Sequence, residues 1–223
     1  MRRTIRRFAL PFVSALVAIA TYALILAFPE PLFSSVIVDG NIRLYGREPF
    51  QGSAHELLTE VQSRVAKSGI YASRVQQRVF VALTPAWFCF FNGPYRFAMA
   101  RNVELGNAIF VPRLDLQHRR VVHFDGRSAD AAEILAHEMT HTLMQRRLGL
   151  LRVWRLPWWK REGYASYIGN TESSPEPAIY RQARLRWVYL LEVRHLTFDQ
   201  VIASDISEKE FTRDMSDSRF RPR

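Results

Sequence analysis

The stretch His137-Glu138-Met139-Thr140-His141 constrains this chain more than any other. Two imidazoles four positions apart meet only if the segment is helical, where positions i and i+4 lie about 5–6 Å apart on one face. Both rings can then reach one tetrahedral zinc ion, and the carboxylate beside the first points toward the water that ion would hold. His137 and His141 are therefore candidate metal ligands, and Glu138 a candidate general base.

The flanking sequence supplies the helix. Asp130-Ala131-Ala132-Glu133 has the form of a capping box, Arg146 and Arg147 suit a negative C-terminal end, and Gly149 provides a stop. Ile134, Leu135, Leu143, Met144 and Leu148 offer apolar positions for packing. Two His and a Glu placed mid-helix are costly to bury without partners, which weighs against a plain core role. Downstream, Pro157 opens a second helix running through Trp158 and Trp159 to Tyr167. Glu162 follows His141 by 21 residues, enough for the chain to turn and bring a carboxylate back to the first helix. A His, His, Glu set leaves the fourth position of a zinc ion open, as catalysis requires.

These segments together resemble the gluzincin metallopeptidases, the group that contains thermolysin and the large zinc aminopeptidases. The likeness lies in HExxH followed by Trp159-Lys160-Arg161-Glu162-Gly163-Tyr164-Ala165-Ser166-Tyr167. It implies zinc held by His137, His141 and Glu162, Glu138 as base, and a peptide or protein substrate. A weaker likeness is Asn107-Ala108-Ile109-Phe110, thirty residues before His137, which resembles the strand bordering the cleft in thermolysin-like enzymes. Ala108 to Val111 is apolar and partly β-branched, and Pro112 suits an edge. Such an edge could pair with extended peptide, or be an ordinary edge strand; both readings stay open. Two departures matter. Ser166 stands where thermolysin-like enzymes have an Asp that orients a zinc histidine, and the Gly-x-Met-Glu-Asn segment of aminopeptidases is missing, which tilts the reading toward an endopeptidase. A transition-state donor is not assigned: His195, Tyr180 and Tyr189 follow Glu162, but none matches a family motif.

Arg2, Arg3, Arg6 and Arg7 precede 21 uncharged residues, Phe8 to Phe28. That length suffices to cross a hydrocarbon core of about 30 Å at 1.5 Å per residue. Ala18-Ile19-Ala20, the nearest small-x-small site, lies inside the run, so the sequence predicts an uncleaved transmembrane signal anchor over 8–28. Residues 1–7 would then be a cytoplasmic flank, with the domain on the outer side of the membrane.

The expected fold is α+β, a minimal zincin-like domain over 29–203 behind that helix. Asp39-Gly40 within Val36 to Tyr45 signals a hairpin, and a helix runs from Ser53-Ala54-His55-Glu56 toward Gly69, burying Leu57, Leu58, Val61 and Val65. Arg78 to Thr84, Arg96 to Arg101 and Asn107 to Val111 read as strands, and Tyr180 to Arg194 as a helix. Residues 204–223 form a charged tail poor in apolar residues, with disorder expected in parts. The net charge is +10, of which four units belong to the N-terminal arginines. The remaining cations are scattered and accompany no nucleic-acid motif, so no nucleic-acid partner is expected. Cys89 is the single cysteine, which excludes an intramolecular disulfide, and its apolar neighbours predict a buried thiol. Trp154, Trp158 and Trp159 are expected to pack beneath the site or, with Arg152 and Arg155, to rest at a membrane interface.

The sequence thus predicts a membrane-anchored zinc endopeptidase. Rival readings are a zincin-fold domain that holds zinc without turnover, and a metal-free interaction module. The oligomeric state is not legible.

Overall fold

The computed structural model describes residues 2–170 and 177–206, the side chains of residues 2–10 and of Pro94 excepted. In chain order the elements are α1 (Arg2–Ala27), β1 (Ser35–Asp39), β2 (Ile42–Gly46), α2 (His55–Ala66), β3 (Gln77–Val81), α3 (Pro85–Asn92), β4 (Arg101–Val103), β5 (Ala108–Val111), β6 (Leu114–Asp115), β7 (Arg120–Val122), β8 (Ser128–Asp130), α4 (Ala131–Leu148), α5 (Leu150–Arg155), α6 (Trp158–Gly169), α7 (Ala178–Val188) and α8 (Phe198–Ala203). A π-helical turn, Tyr189–Val193, continues α7.

Five strands form one sheet in the order β1-β2-β3-β5-β4, and β6-β7-β8 form a small antiparallel meander. The inner pairs β2/β3 and β3/β5 are parallel, whereas β1/β2 and β4/β5 are antiparallel. Gly40, at φ 55°, makes the tight turn of the β1–β2 hairpin.

Alternation along the inner strands separates two cores. Val79 and Val81 of β3, with Ile109 and Val111 of β5, belong to the core shared with α2, α4 and α6. Phe80 and Phe110 point the other way, toward Phe88 and Phe91 of α3. There Tyr45 stacks on Phe80 at 4.7 Å, and Phe110 on Phe91 at 4.2 Å. Burying each of these rings contributes roughly 1.5–3 kcal/mol.

Three sequence expectations are corrected. The strand expected from Arg96 begins at Arg101, because residues 96–99 are spent in turns. The segment Asn107–Val111 is not an edge: β5 lies between β3 and β4 with all four of its residues buried, the mark of an inner strand covered on both faces. Asn107 itself sits in the β4–β5 turn at φ 50°, a left-handed conformation that Asn tolerates. Finally, Cys89 is half-buried, on a helix the sequence reading did not anticipate; Pro85 opens it and the Thr84 side chain caps it at Trp87 N–H.

The transmembrane anchor is also corrected: among the described residues, no helix is long and apolar enough to cross a membrane. The physical reason is where α1 ends. Ile25 and Leu26 pack on the aromatic core, Tyr22 Oη donates to Phe90 O at 2.5 Å, and Arg78 bonds Ala27 O at 3.0 Å. A Cβ on Gly106 would lie 2.6 Å from Ala27 O, so the helix end rests directly on the β4–β5 turn. The C-terminal turns of α1 are thus committed to contacts with the domain. The apolar run serves partly as a packing surface, and the placement of the domain outside a membrane falls with the anchor. Of the predicted tail, residues 207–223 lie outside the described residues.

Candidate metal centre

Helix α4 carries the HExxH residues. Asp130 caps it by accepting from Glu133 N–H at 2.9 Å, and Gly149, at φ 81°, ends it. Ala131, Ala132, Leu135, Ala136, Met139, Leu143 and Met144 face the core, which fixes the rotation of the helix and turns His137 and His141 toward α6.

Two glycines set how closely α6 and α7 approach. A Cβ on Gly169, at the end of α6, would lie 2.8 Å from Glu133 O and from His137 N, so only glycine lets α6 lie this close beside the first histidine. On Gly163, next to Glu162, a Cβ would meet Ala183 O of α7 at 2.6 Å. Gly163→Ala should therefore push α7 from α6 and cost about 1–3 kcal/mol. Thermal unfolding against the parent measures it, and an unchanged melting temperature would refute the close approach.

These helices bring the three predicted ligands together. Glu162 Oε2 lies 3.4 Å from Nε2 of His137 and 3.4 Å from Nε2 of His141, and the two Nε2 atoms are 3.2 Å apart. Tetrahedral ligands at about 2.0–2.1 Å from an ion are separated by about 3.3–3.4 Å. The triangle is thus the right size for a small ion seated just above it, and His137, His141 and Glu162 could hold a metal ion. The other carboxylate oxygen, Oε1, accepts from Arg161 Nε at 3.0 Å. Burial alone would raise the Glu162 pKa, but the two histidines outweigh it and hold the carboxyl well below the usual range. For His141 burial works downward and is outweighed by Glu162, leaving the imidazole with a raised pKa.

The cluster opens into a cleft of about 640 Å³ between α4, α6, α7 and the chain around β4. Glu138 lines it, its Oε2 accepting from Asn102 N–H at 2.7 Å. Tyr180 lines it too, with its ring 6.5 Å from the His137 ring and edge-on to Trp158 at 5.0 Å. Burial, and then the charges of Glu162 and Glu138, raise the Tyr180 pKa. The other two donor candidates are elsewhere. Tyr189 is buried in the core, and His195 is exposed at φ 52° beyond the π turn.

The strand beside the cleft is β4, not the segment at Asn107, since Ala100, Arg101 and Asn102 supply that wall. Asn102 and Arg161 were missed in the sequence; Arg161 had a usable signal in its position beside Glu162, Asn102 had none. Trp154 and Trp158 line the cleft, whereas Trp159 packs on the core with Lys160 and Arg186 over its ring. Comparison with family models, with curated proteins and with solved structures gave no match to this chain.

Proposed function

We propose that this protein is a zinc-dependent peptidase, most simply an endopeptidase. The observation that carries the reading is the triangle of His137, His141 and Glu162, whose edges of 3.2–3.4 Å suit tetrahedral zinc, with a second carboxylate, Glu138, in the same cleft. The resemblance of HExxH and the Glu162-Gly163 segment to gluzincin metallopeptidases supports the same reading.

A zinc ion held by these three residues would supply Lewis acidity, polarising a carbonyl and acidifying a water. The protein's own groups do the rest. Glu138 accepts a proton from the attacking water and returns it to the departing amine. Tyr180, a neutral phenol at neutral pH, donates to the carbonyl oxygen as charge develops there. Arg161 holds Glu162 Oε1, so that Oε2 is the oxygen aimed at both histidines.

The test is hydrolysis of fluorescently quenched casein by zinc-loaded protein, with loss of turnover in 1,10-phenanthroline and its return on adding zinc. Zinc-loaded protein that is inert on casein and on varied peptides would favour the rival reading of a zinc-holding domain without turnover. Tyr180→Phe should lower kcat about 10²-fold with metal content unchanged. An unaltered kcat would remove Tyr180 from the reaction.

A further inference from the structure

Helix α4 presents a second stripe beside its histidines. Glu138, Thr142 and Gln145 follow one another at helical spacing, and all three are bonded to β4 or to the residue just after it. Asn102 carries most of this seam. Its main-chain N–H donates to Glu138 Oε2 at 2.7 Å, while its side-chain Nδ2 donates to Glu138 O at 3.2 Å and to Thr142 Oγ1 at 2.5 Å. Gln145 Nε2 adds a bond to Glu104 O at 2.8 Å.

The register explains why these groups are free to do so. β4 pairs with β5 through Arg101↔Phe110, Asn102↔Ile109 and Val103↔Ala108. In an antiparallel ladder the N–H and C=O of one residue point the same way, and successive residues alternate. The bond from Asn102 N–H to Glu138 puts position 102 on the outward side, toward α4, and Glu104, in the turn just after β4, turns its carbonyl to Gln145 of the same helix. Asn102 is only 5% exposed, so its side chain is a buried clamp and not a surface contact.

We propose that Asn102 is the positioning residue for Glu138: its side chain clamps β4 to α4, and its main-chain N–H fixes one oxygen of the carboxylate and leaves the other for the reacting proton. The inference rests on the peptidase reading for its chemistry, but the clamp itself is structural. A carboxylate held at one oxygen keeps its second oxygen in a fixed direction, and misplacement of a reacting group by about 1 Å can cost on the order of 10²-fold in rate. The seam also fills the outward edge of β4 at Asn102 N, and Gln145 takes the Glu104 carbonyl just beyond it. An extended chain can pair with that edge only by displacing Glu138 from Asn102.

Two measurements on the full chain test this. Amide hydrogen exchange should show the residue 102 N–H at least about 10-fold faster in Glu138→Ala, and the inward N–H of Val103 unchanged. Zinc-loaded Asn102→Ala, and Thr142→Val as the milder and nearly isosteric change, should both lower kcat on quenched casein by about 10- to 10²-fold with KM, zinc content and Val103 protection retained. Because Asn102 and Thr142 act through one bond, the double variant should lose less than the product of the two single losses. Unchanged exchange at residue 102 in Glu138→Ala would overturn the hold of the Asn102 main-chain N–H on the carboxylate. A loss that falls on KM or on zinc content instead of kcat would overturn the positioning role. A parent protein inert on casein overturns the peptidase reading and the catalytic half of the proposal, while the exchange result still decides whether the Asn102 N–H holds the Glu138 carboxylate.

Discussion

Glu138→Gln protein is expected to keep its fold and its metal and to lose hydrolysis of quenched casein by about 10³-fold or more. Gln is nearly isosteric with Glu, and the side chain is not among the three that converge on the proposed ion: those contacts join His137, His141 and Glu162. The bond from Asn102 N–H also survives, because the amide oxygen of Gln accepts as the Glu138 Oε2 atom does. What disappears is the ability to take a proton. Metal content by atomic emission, the melting temperature and the initial rate of casein cleavage together separate this outcome from simple unfolding. A variant that cleaves as fast as the parent would remove Glu138 from the reaction, and would also remove the reason for Asn102 to hold it.

The site was largely legible in the sequence because its signals are local. His137 and His141 meet through helix geometry alone, and Asp130 and Gly149 mark the ends of that helix. Glu162 was reached through its setting, since the glycine of Glu-Gly-x-Ala meets a physical need: Gly163 is where α7 comes within contact of α6. What failed to show depends on pairing at long range. Asn107 to Val111 and Arg101 to Val103 are equally plausible edge strands when read singly, and only the sheet order puts β4 outermost. Asn102 carries no signal, because a buried polar residue is explained only by its partners, which lie 36 and 40 positions away. The apolar run at the N-terminus misled for a related reason. Hydropathy counts residues without regard to contacts, and the contacts of Tyr22, Ile25 and Leu26 fasten the end of α1 to the domain.

The second large effect concerns the metal itself. Glu162→Ala should weaken zinc binding by about 10²-fold or more, since loss of even an outer partner of a ligand commonly costs 10- to 100-fold and Glu162 meets both histidines directly. Stability provides the readout. Zinc at about 100 times its dissociation constant should stabilise the parent by about 2.7 kcal/mol, and the same zinc concentration should leave the variant almost unmoved. Acid should act on the parent in the same direction. His141, raised by Glu162 despite its burial, holds its proton to a higher pH than an ordinary histidine, so zinc must displace that proton and binds more weakly as the pH falls. Glu162, held low by the same pair, stays ionised through that range and contributes no protons to the exchange. Calorimetric titration in two buffers of different ionisation enthalpy counts the protons released. In the variant the count should fall, because the charge that raises the His141 pKa is gone. Equal zinc affinity in parent and variant would take Glu162 out of the centre, and the triangle on which the proposed chemistry stands would go with it.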